Sequence, residues 1–318
     1  MAISGTITYE LTATQLITQA FNKCGVKASE QPLTAQEFQD GLTNLNLMIK
    51  SWSASDILIW MQREAVLFLE YQKPLYYLGT SGDRCCPRTS FYPSELSSAA
   101  LSGATTLTVA STANWSADDN IGIRLDAQTR QWTTIVSVDS ATQVTITDPL
   151  EADAPIGASC FVYSGEIYRP MRVTDSRRNW YGQQSEIRVQ TWARQQYFDQ
   201  VDKLSTGSVN AYYYVPTLGQ GQYYVWQTTP DVNQYVTFTY YQYMADVTEP
   251  SQTLEIPQEW QECFIYNLAL RLGNDYDAPV EKMLIVEKFA RSLLEEMRDW
   301  DIGQGSIQIQ PNYNGQYQ

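Results

Sequence analysis

The feature that most constrains this chain is a pair of helical repeats near its C-terminal end. Apolar residues recur with helical spacing in two groups, first Trp260, Phe264, Leu268 and Leu272, then Leu284, Phe289, Leu293 and Met297. Such a period predicts two amphipathic helices, over 257–272 and 279–300. Gly273 at the end of the first repeat and Pro279 at the start of the second predict a short turn between antiparallel helices. The apolar stripe of this hairpin needs a partner elsewhere in the chain.

The N-terminal end of the chain offers that partner. Thr12 is followed three positions later by Gln15, and Thr34 by Glu37, each pair flanked by apolar residues, which is the signature of a capping box. Helices are therefore predicted over 12–24 and 34–54, and we expect the N- and C-terminal helices to form one bundle. The expected bundle core is Phe21, Phe38, Leu42, Leu45, Ile49, Trp52, Trp260, Phe264, Leu268, Leu284, Phe289 and Leu293.

The middle of the chain is predicted to be a β insertion. Short alternating runs separated by turn residues fill 104–163, a pattern typical of a small sandwich or barrel. Residues 165–249 continue mostly as strands, with one short helical piece around 191–203. Aromatic clusters at 212–214, 223–226 and 235–243 favour paired side chains in a sheet over a ligand platform.

These patterns predict an α+β protein with a large, mostly antiparallel β insertion. The expected order is helices and a strand or hairpin at 1–79, a Ser-, Pro- and Gly-rich linker at 80–100, a small sandwich or barrel at 101–164, a second β-rich region at 165–249, the helical hairpin at 250–303, and a flexible C-terminal arm at 304–318.

The C-terminal arm has no charged residue and consists mainly of Gln, Asn, Gly and Tyr. Such a segment cannot bury a core of its own. Two interpretations stay open: a disordered end, or an arm that docks on a partner by strand addition or by inserting side chains into a groove. In the second case the contact residues would be Ile307, Ile309, Pro311, Tyr313 and Tyr317.

Composition argues against catalysis. The chain has no His, which removes Ser-His-Asp and Cys-His arrangements and most zinc, copper and iron sites. No glycine-rich phosphate loop occurs. A pair of carboxylates remains conceivable as glycosidase machinery. The candidates Asp118, Asp119, Asp126, Asp148 and Glu151 fall in turns, where Asp is expected for backbone reasons alone. We therefore predict a non-enzymatic protein without cofactor or metal.

The net charge and the cysteine content further limit the classes of protein to which this chain can belong. The net charge is −14, from 21 basic and 35 acidic residues, whereas a protein that grips DNA by its phosphates normally has a basic excess. The five cysteines are scattered and odd in number, which predicts neither a disulfide framework nor a metal site. No membrane span and no secretion signal are predicted. The expectation is a soluble, non-secreted protein made in a reducing compartment.

Both ends of the chain resemble a known family. The opening TATQLITQAFNKCGVKASEQPLTAQEFQDGLTNLNLMIKSWSASDILIW and the later block QEWQECFIYNLALRLGNDYDAP are similar to head-to-tail adaptor (tail accessory, or tail-tubular-A-like) proteins of short-tailed bacteriophages. The matching positions are Phe21, Gly25, Val26, Leu33, Leu45, Leu47, Met48, Trp52 and, more loosely, Asp56. Two features depart from the family pattern: residues 273–275 replace a short Ala-Pro turn, and the β region is larger than in the smallest members.

The resemblance implies a structural protein of the virion neck or tail, made in the host cytoplasm. Such proteins form a dodecameric ring under the portal protein, with a helical bundle in the ring and a C-terminal arm that reaches the portal. Their β insertions contact tail nozzle or fibre proteins, and DNA passes through the ring without sequence-specific binding. Two alternatives stay open: a tail tube, nozzle or fibre-anchoring protein, and a carbohydrate-binding virion protein that uses the Tyr- and Trp-rich sheet.

Overall fold

The computed structural model describes residues 9–28, 31–54 and 62–302. Within these ranges the protein is α+β, as its sequence predicts. It divides into two compact units, which are described separately: a helical unit (Met1–Trp60 with Met244–Gln318) and a β unit (Met61–Tyr243). The helices are α1 (Ala13–Cys24), α2 (Ala35–Ala54), α3 (Arg194–Phe198), α4 (Gln261–Asp275) and α5 (Val280–Ile302).

The β unit contains the strands and α3. The strands are β1 (Gln62–Phe68), β2 (Leu75–Leu78), β3 (Cys85–Pro87), β4 (Phe91–Glu95), β5 (Thr106–Thr108), β6 (Asn120–Arg124), β7 (Arg130–Ser140), β8 (Gln143–Ile146), β9 (Ser159–Tyr163), β10 (Arg172–Trp180), β11 (Ile187–Thr191), β12 (Ala211–Pro216), β13 (Gly221–Trp226) and β14 (Gln234–Tyr241). The helical piece expected around 191–203 is shorter than its prediction.

Both predicted capping boxes are confirmed in the helical unit. The backbone N–H of Gln15 donates to Thr12 Oγ1 over 3.3 Å, and the N–H of Thr12 donates to Gln15 Oε1 over 3.0 Å. Thr34 and Glu37 make the same exchange, with distances of 2.7 and 3.3 Å. These bonds satisfy N–H groups that have no partner inside the helix, and so they fix where α1 and α2 begin.

The turn between α4 and α5 differs from its prediction. Gly273 was expected to end the first helix, but α4 continues to Asp275. A Cβ at Gly273 would collide with the sulfur of Met283, so this glycine allows α4 and α5 to approach closely. The α4–α5 turn therefore falls at residues 276–279.

A six-stranded sheet forms a barrel in the first part of the β unit. Its strand order is β4-β9-β6-β7-β8-β5, and a bridge between Leu96 and Val109 joins the two ends. Its interior includes Leu107, Ile121, Ile135, Val144 and Val162. The expectation of a linker at 80–100 is wrong, because β3 and β4 lie there and pair with β1 and β9.

An eight-stranded sheet forms the rest of the β unit, in the order β2-β13-β12-β11-β10-β14-β1-β3. All neighbours are antiparallel except β11 and β12. One face encloses a core that contains Tyr76, Tyr212, Tyr223 and Phe238. The opposite face carries Val66 and Phe68 of β1, which pack against Phe161 and Tyr163 of the barrel.

Arg130 ties the barrel to the loop that precedes β14. Its guanidinium lies 3.7 Å from the centre of the Phe161 ring and donates to the carbonyl oxygens of Gly122, Ser159 and Val232. Burial lowers the pKa of this guanidinium, and the three carbonyl acceptors compensate for part of the lost hydration. The barrel and the eight-stranded sheet are thus joined by polar as well as apolar contacts.

At each edge of the eight-stranded sheet, outward backbone groups of one residue are engaged in hydrogen bonds. At the β2 edge, the N–H of Tyr77 donates to the Asp83 carboxylate over 2.7 Å, and the N–H of Asp83 donates back to the Tyr77 carbonyl over 2.6 Å. A Cβ at Gly82 would collide with that carbonyl, so the turn requires glycine there. At the β3 edge, the carbonyl of Cys85 accepts the N–H of Ile167 over 3.3 Å.

Candidate functional site

The aromatic residues of the eight-stranded sheet pack mainly against one another. Tyr212 and Tyr223 are buried, with ring centres 5.2 Å apart and nearly parallel planes. Tyr213 and Tyr224, paired across β12 and β13, stack at 5.6 Å on the opposite face. The prediction of paired side chains in a sheet is therefore confirmed. The buried Tyr212 and Tyr223 rings offer no exposed face on which a sugar could stack.

Three of the five carboxylates singled out from the sequence, Asp119, Asp126 and Asp148, make local hydrogen bonds. Backbone N–H groups of Gln128 and Thr129 donate to Asp126 and hold the pKa of its carboxyl below the usual range. Asp148 accepts a bond from the Thr133 hydroxyl over 2.9 Å. Across residues 9–28, 31–54 and 62–302, no group of three or more His, Cys, Asp or Glu side chains is arranged to hold a metal ion.

Most of the side chains expected in the bundle core lie inside the helical unit. Buried members are Phe21, Leu42, Leu45, Ile49, Trp52, Trp260, Phe264 and Leu268, while Phe38 and Leu293 are half-buried. Trp52 connects α2 to α4, since its ring lies 4.9 Å from that of Phe264. The arm residues Ile307, Ile309, Pro311, Tyr313 and Tyr317 lie outside the described residues.

Two of the expected core residues lie at the surface, so the prediction is wrong for Leu284 and Phe289. They are five positions apart, which separates them by about 140° around a helix, and one stripe cannot contain both. The buried face of α5 is instead Met283, Val286, Ala290, Leu293 and Met297, of which Val286 and Ala290 are fully covered. This series has the alternating spacing of three and four that a packed helix face requires.

Helix α5 consequently exposes apolar side chains on two sides of its buried face. The Leu284 side consists of Val280, 74% exposed, and Leu284, 63% exposed, one turn apart. The Phe289 side consists of Ile285, 58% exposed, and Phe289, 47% exposed, also one turn apart. Each side thus carries two exposed large apolar residues one turn apart, and exposed apolar groups of this kind can mark a protein contact surface.

A groove lies next to the Phe289 side. We call it the α1–α4 groove; it is a cavity of about 240 Å³ lined by Tyr9, Leu11, Gln19, Lys23, Gln258, Gln261, Glu262, Ile265 and Tyr266. Lys23 Nζ lies 5.0 Å from the centre of the Tyr266 ring and donates to its hydroxyl over 3.2 Å. The Tyr266 ring also contacts Phe289, with 5.3 Å between ring centres, so the groove continues onto α5.

Gln261 is the most unusual side chain in this groove. It is only 6% exposed, and its Nε2 donates to the carbonyl oxygen of Tyr9 over 2.6 Å. Its Oε1 is buried and has no hydrogen-bond partner within the described part of the chain. A buried amide oxygen without a donor is costly, which makes it a place where a further N–H group would bind favourably. Sequence reasoning missed the groove because its residues come from three separate segments.

The exposed sides of α5 and the adjacent groove are surfaces of the kind through which proteins contact other polypeptides. Comparison with protein families gives a match to the SU10 adaptor protein family over residues 95–309. The matched range is more than half of the 318 residues, and the chain belongs to this family. It includes most of the β unit together with α4 and α5, whereas α1 and α2 precede it. No curated protein matches the chain.

Family membership identifies a structural adaptor protein of a bacteriophage, associated with the virion. It implies a non-enzymatic role and assembly with other virion components. None of the described helices combines the length and apolar character that crossing a membrane would require.

Proposed function

We propose that this chain builds the head-to-tail adaptor ring of a phage virion. The ring docks under the portal protein, joins it to tail nozzle or fibre proteins, and leaves a channel for DNA. Membership of the SU10 adaptor protein family supports the adaptor role. The observation that carries ring formation is the Leu284 side of α5, where two aliphatic side chains one turn apart remain exposed.

In the proposed ring, the Leu284 side packs against a neighbouring copy. Full burial of a Val or Leu side chain stabilises by about 1.5–3 kcal/mol, so Val280 and Leu284 together supply only a modest contact. Each copy in a closed ring uses this contact twice, once through its own α5 and once through the surface that receives the neighbour's α5. A modest contact therefore becomes effective when it is repeated around a ring, as avidity requires.

The two ends of the chain have distinct roles in this arrangement. Helices α1, α2, α4 and α5 form the bundle that makes the ring, which we take to contain twelve copies. Residues 304–318 dock on the portal, with Ile307, Ile309, Pro311, Tyr313 and Tyr317 as contacts, and the β unit faces the tail. Multiple arms on one ring bind a multivalent portal more tightly than any single arm does.

Charge supports a channel that DNA traverses without being held. The helical unit has 18 acidic and 8 basic residues, a net charge of −10, whereas the β unit has 17 and 13, a net charge of −4. An acidic wall repels phosphates and keeps DNA from adhering.

Light scattering on the purified protein, alone and mixed with portal rings, tests the proposal. We expect either a ring in solution or a monomer that assembles on the portal, and we expect Leu284→Ser to impair that assembly. Leu101→Ser, which removes an equally exposed leucine from the barrel, is the matched control and should assemble normally. If the protein stays monomeric and does not bind portal rings, the proposal of an adaptor ring is wrong. Normal assembly of Leu284→Ser contradicts only the assigned contact.

A further inference from the structure

We infer that the α1–α4 groove, together with the Phe289 side of α5, is a binding site for the C-terminal residues 303–318 of the same chain. The inference rests on four observations: where α5 ends, what sequence follows it, which groups line the groove, and which of them lacks a partner. It concerns the protein before assembly and does not depend on whether the portal is its partner.

The register of α4 and α5 brings the end of α5 next to the open end of the groove. Tyr266 contacts Phe289, and the two helices are antiparallel neighbours. Gln258, at the outer end of the groove, precedes Tyr266 by eight residues and is therefore level with about residue 297 of α5. Helix α5 continues to Ile302, about 8 Å farther at the helical rise of 1.5 Å per residue. A chain that reverses direction there returns over the groove.

The sequence after α5 suits such a reversal. Gly303 and Gly305 accept backbone conformations that other residues avoid, which favours a tight change of direction. The first apolar residues that follow are Ile307 and Ile309, which point to the same side when the chain is extended. An extended segment of 16 residues spans up to about 50 Å, and the groove from Gln258 to Tyr266 is only about 12 Å long. The segment therefore has ample reach.

The groove lining matches an uncharged, partly apolar segment. The Phe289 ring, which is 47% exposed, provides the main apolar contact for Ile307 and Ile309, and the largely buried Leu11 and Ile265 form the apolar base of the groove. Lys23 and Glu262 contribute one charge of each sign, so the groove has no net charge, and residues 303–318 contain no charged side chain. No charged side chain of the segment has to lose its hydration on binding.

The unpartnered Oε1 of Gln261 indicates how the segment is held. This oxygen needs an N–H donor, and an extended backbone presents one at every second residue on a given side. A main-chain donor from residues 306–310 satisfies it without any requirement for a particular side chain. The Lys23 amine, at the rim, is placed to donate to a carbonyl oxygen of the same segment.

Residues 303–318 are covalently attached to α5, and this is why we assign the bound segment to the same chain rather than to another copy. A covalently tethered segment acts at an effective concentration in the millimolar range, so that a weak contact suffices. The isoleucines used here are those proposed for portal docking, so that groove binding and portal docking exclude each other for a given arm.

Site-specific photo-crosslinking in the full-length protein tests the inference. Phe289→benzoylphenylalanine places a photoreactive group at the edge of the groove, and Leu284→benzoylphenylalanine places the same group on the other side of α5 as a matched control. Irradiation at low protein concentration and mass spectrometry should join position 289 to residues 303–318 at least tenfold more often than position 284. Adding Ile307→Ser and Ile309→Ser should lower that yield at least tenfold.

Two outcomes would overturn the inference. Equal crosslinking of residues 303–318 from positions 289 and 284 would mean that the segment has no preference for the groove. Mixing ¹⁵N-labelled and unlabelled chains identifies the source of the bound segment: crosslinked products that combine both isotopes would show a second copy in the groove and exclude the same-chain assignment.

Discussion

The β unit and the helical unit use their large apolar side chains in opposite ways. The β unit is rich in tyrosine, yet Tyr76, Tyr212, Tyr223 and Tyr240 are buried in its core. Its exposed apolar residues include Leu101 and Leu218, which are separate positions in loops, and a group around α3 that consists of Phe198, Val201 and Leu204. In the helical unit, four exposed apolar residues fall within ten positions of α5. A large number of aromatic residues therefore does not by itself predict a contact surface. A helix that has more apolar residues than its buried face can hold is a better predictor.

The largest expected effect concerns the aromatic interior of the β unit. Phe68 contacts the rings of Phe91, Trp132, Phe161 and Tyr163 at 5.0–5.6 Å between centres. Phe68→Ala should lower the free energy of unfolding by about 3–5 kcal/mol because it leaves a cavity between barrel and sheet. Urea denaturation measures the change. Val136→Ala, at an exposed position of β7, should change stability by less than about 0.5 kcal/mol. A similar value for both variants would refute the contrast between interior and surface.

An intermediate effect is expected at the start of α2. Thr34→Ala removes the hydroxyl that accepts the Glu37 N–H and should destabilise the helical unit by about 1 kcal/mol. Thermal denaturation followed by circular dichroism measures it. Thr43→Ala, in the middle of the same helix, is the control, since Ala is the better helix former there and no cap is lost. Equal destabilisation by both substitutions would argue against the cap.

A smaller effect, visible as a pH dependence, is expected at the partly exposed ion pairs of Glu64 in β1. Arg177 donates to Glu64 and, together with Arg88, holds the pKa of the Glu64 carboxyl below its ordinary value of 4.5. Because the folded pKa is the lower one, the contribution is present above pH 4.5 and is lost as pH falls through the folded value.

Glu64→Gln should therefore cost about 1 kcal/mol or less at pH 7, because the pair is partly exposed. Its stability should also depend less on pH below 4.5 than that of the unsubstituted protein. Urea midpoints between pH 3 and 7 measure both. Parallel curves for the two proteins would contradict a stabilising role for the Glu64 carboxylate.

The smallest effect on folding stability is expected for Leu284→Ser, the substitution for which we propose a large effect on assembly. Leu284→Ser should change the free energy of unfolding of the isolated chain by less than about 0.5 kcal/mol, since the side chain makes few contacts within its own unit. Val286→Ser, two positions away on the buried face, should be clearly destabilising. Urea denaturation of the two variants tests whether the two faces of α5 differ as described.

Local signals predicted the helices well, whereas contacts between distant segments escaped prediction. The capping boxes at Thr12 and Thr34 involve residues three positions apart, so the sequence alone specifies them. The buried face of α5 was predicted at Leu293 and Met297, but its first part was missed because small Ala290 and flexible Met283 contribute to it while larger residues lie beside it. The strands at 85–95 were missed because Pro87 and Pro93 suggested a linker, although proline is tolerated in strands near a sheet edge.

The candidate site likewise combines features that the sequence predicts with features that only the structure reveals. The sequence shows that α5 has more apolar residues than one helix face can hold. Which of them are exposed depends on the face that α4 covers. The α1–α4 groove combines Tyr9, Lys23 and Gln261, and no sequence spacing relates these positions. Only tertiary structure reveals that the Gln261 amide oxygen has no donor within the described residues.

The engaged backbone groups at the sheet edges have a consequence for a protein that we propose to assemble in many neighbouring copies. Crowded β proteins polymerise when the bare edge of one sheet continues in the next, a process with no natural end point. Here the Asp83 carboxylate accepts the Tyr77 N–H, and the Ile167 N–H donates to the Cys85 carbonyl oxygen. The bridge between Leu96 and Val109 joins the two ends of the barrel sheet. Edge pairing through these positions is blocked, which favours association between copies through side-chain surfaces, whose shape sets where an assembly stops.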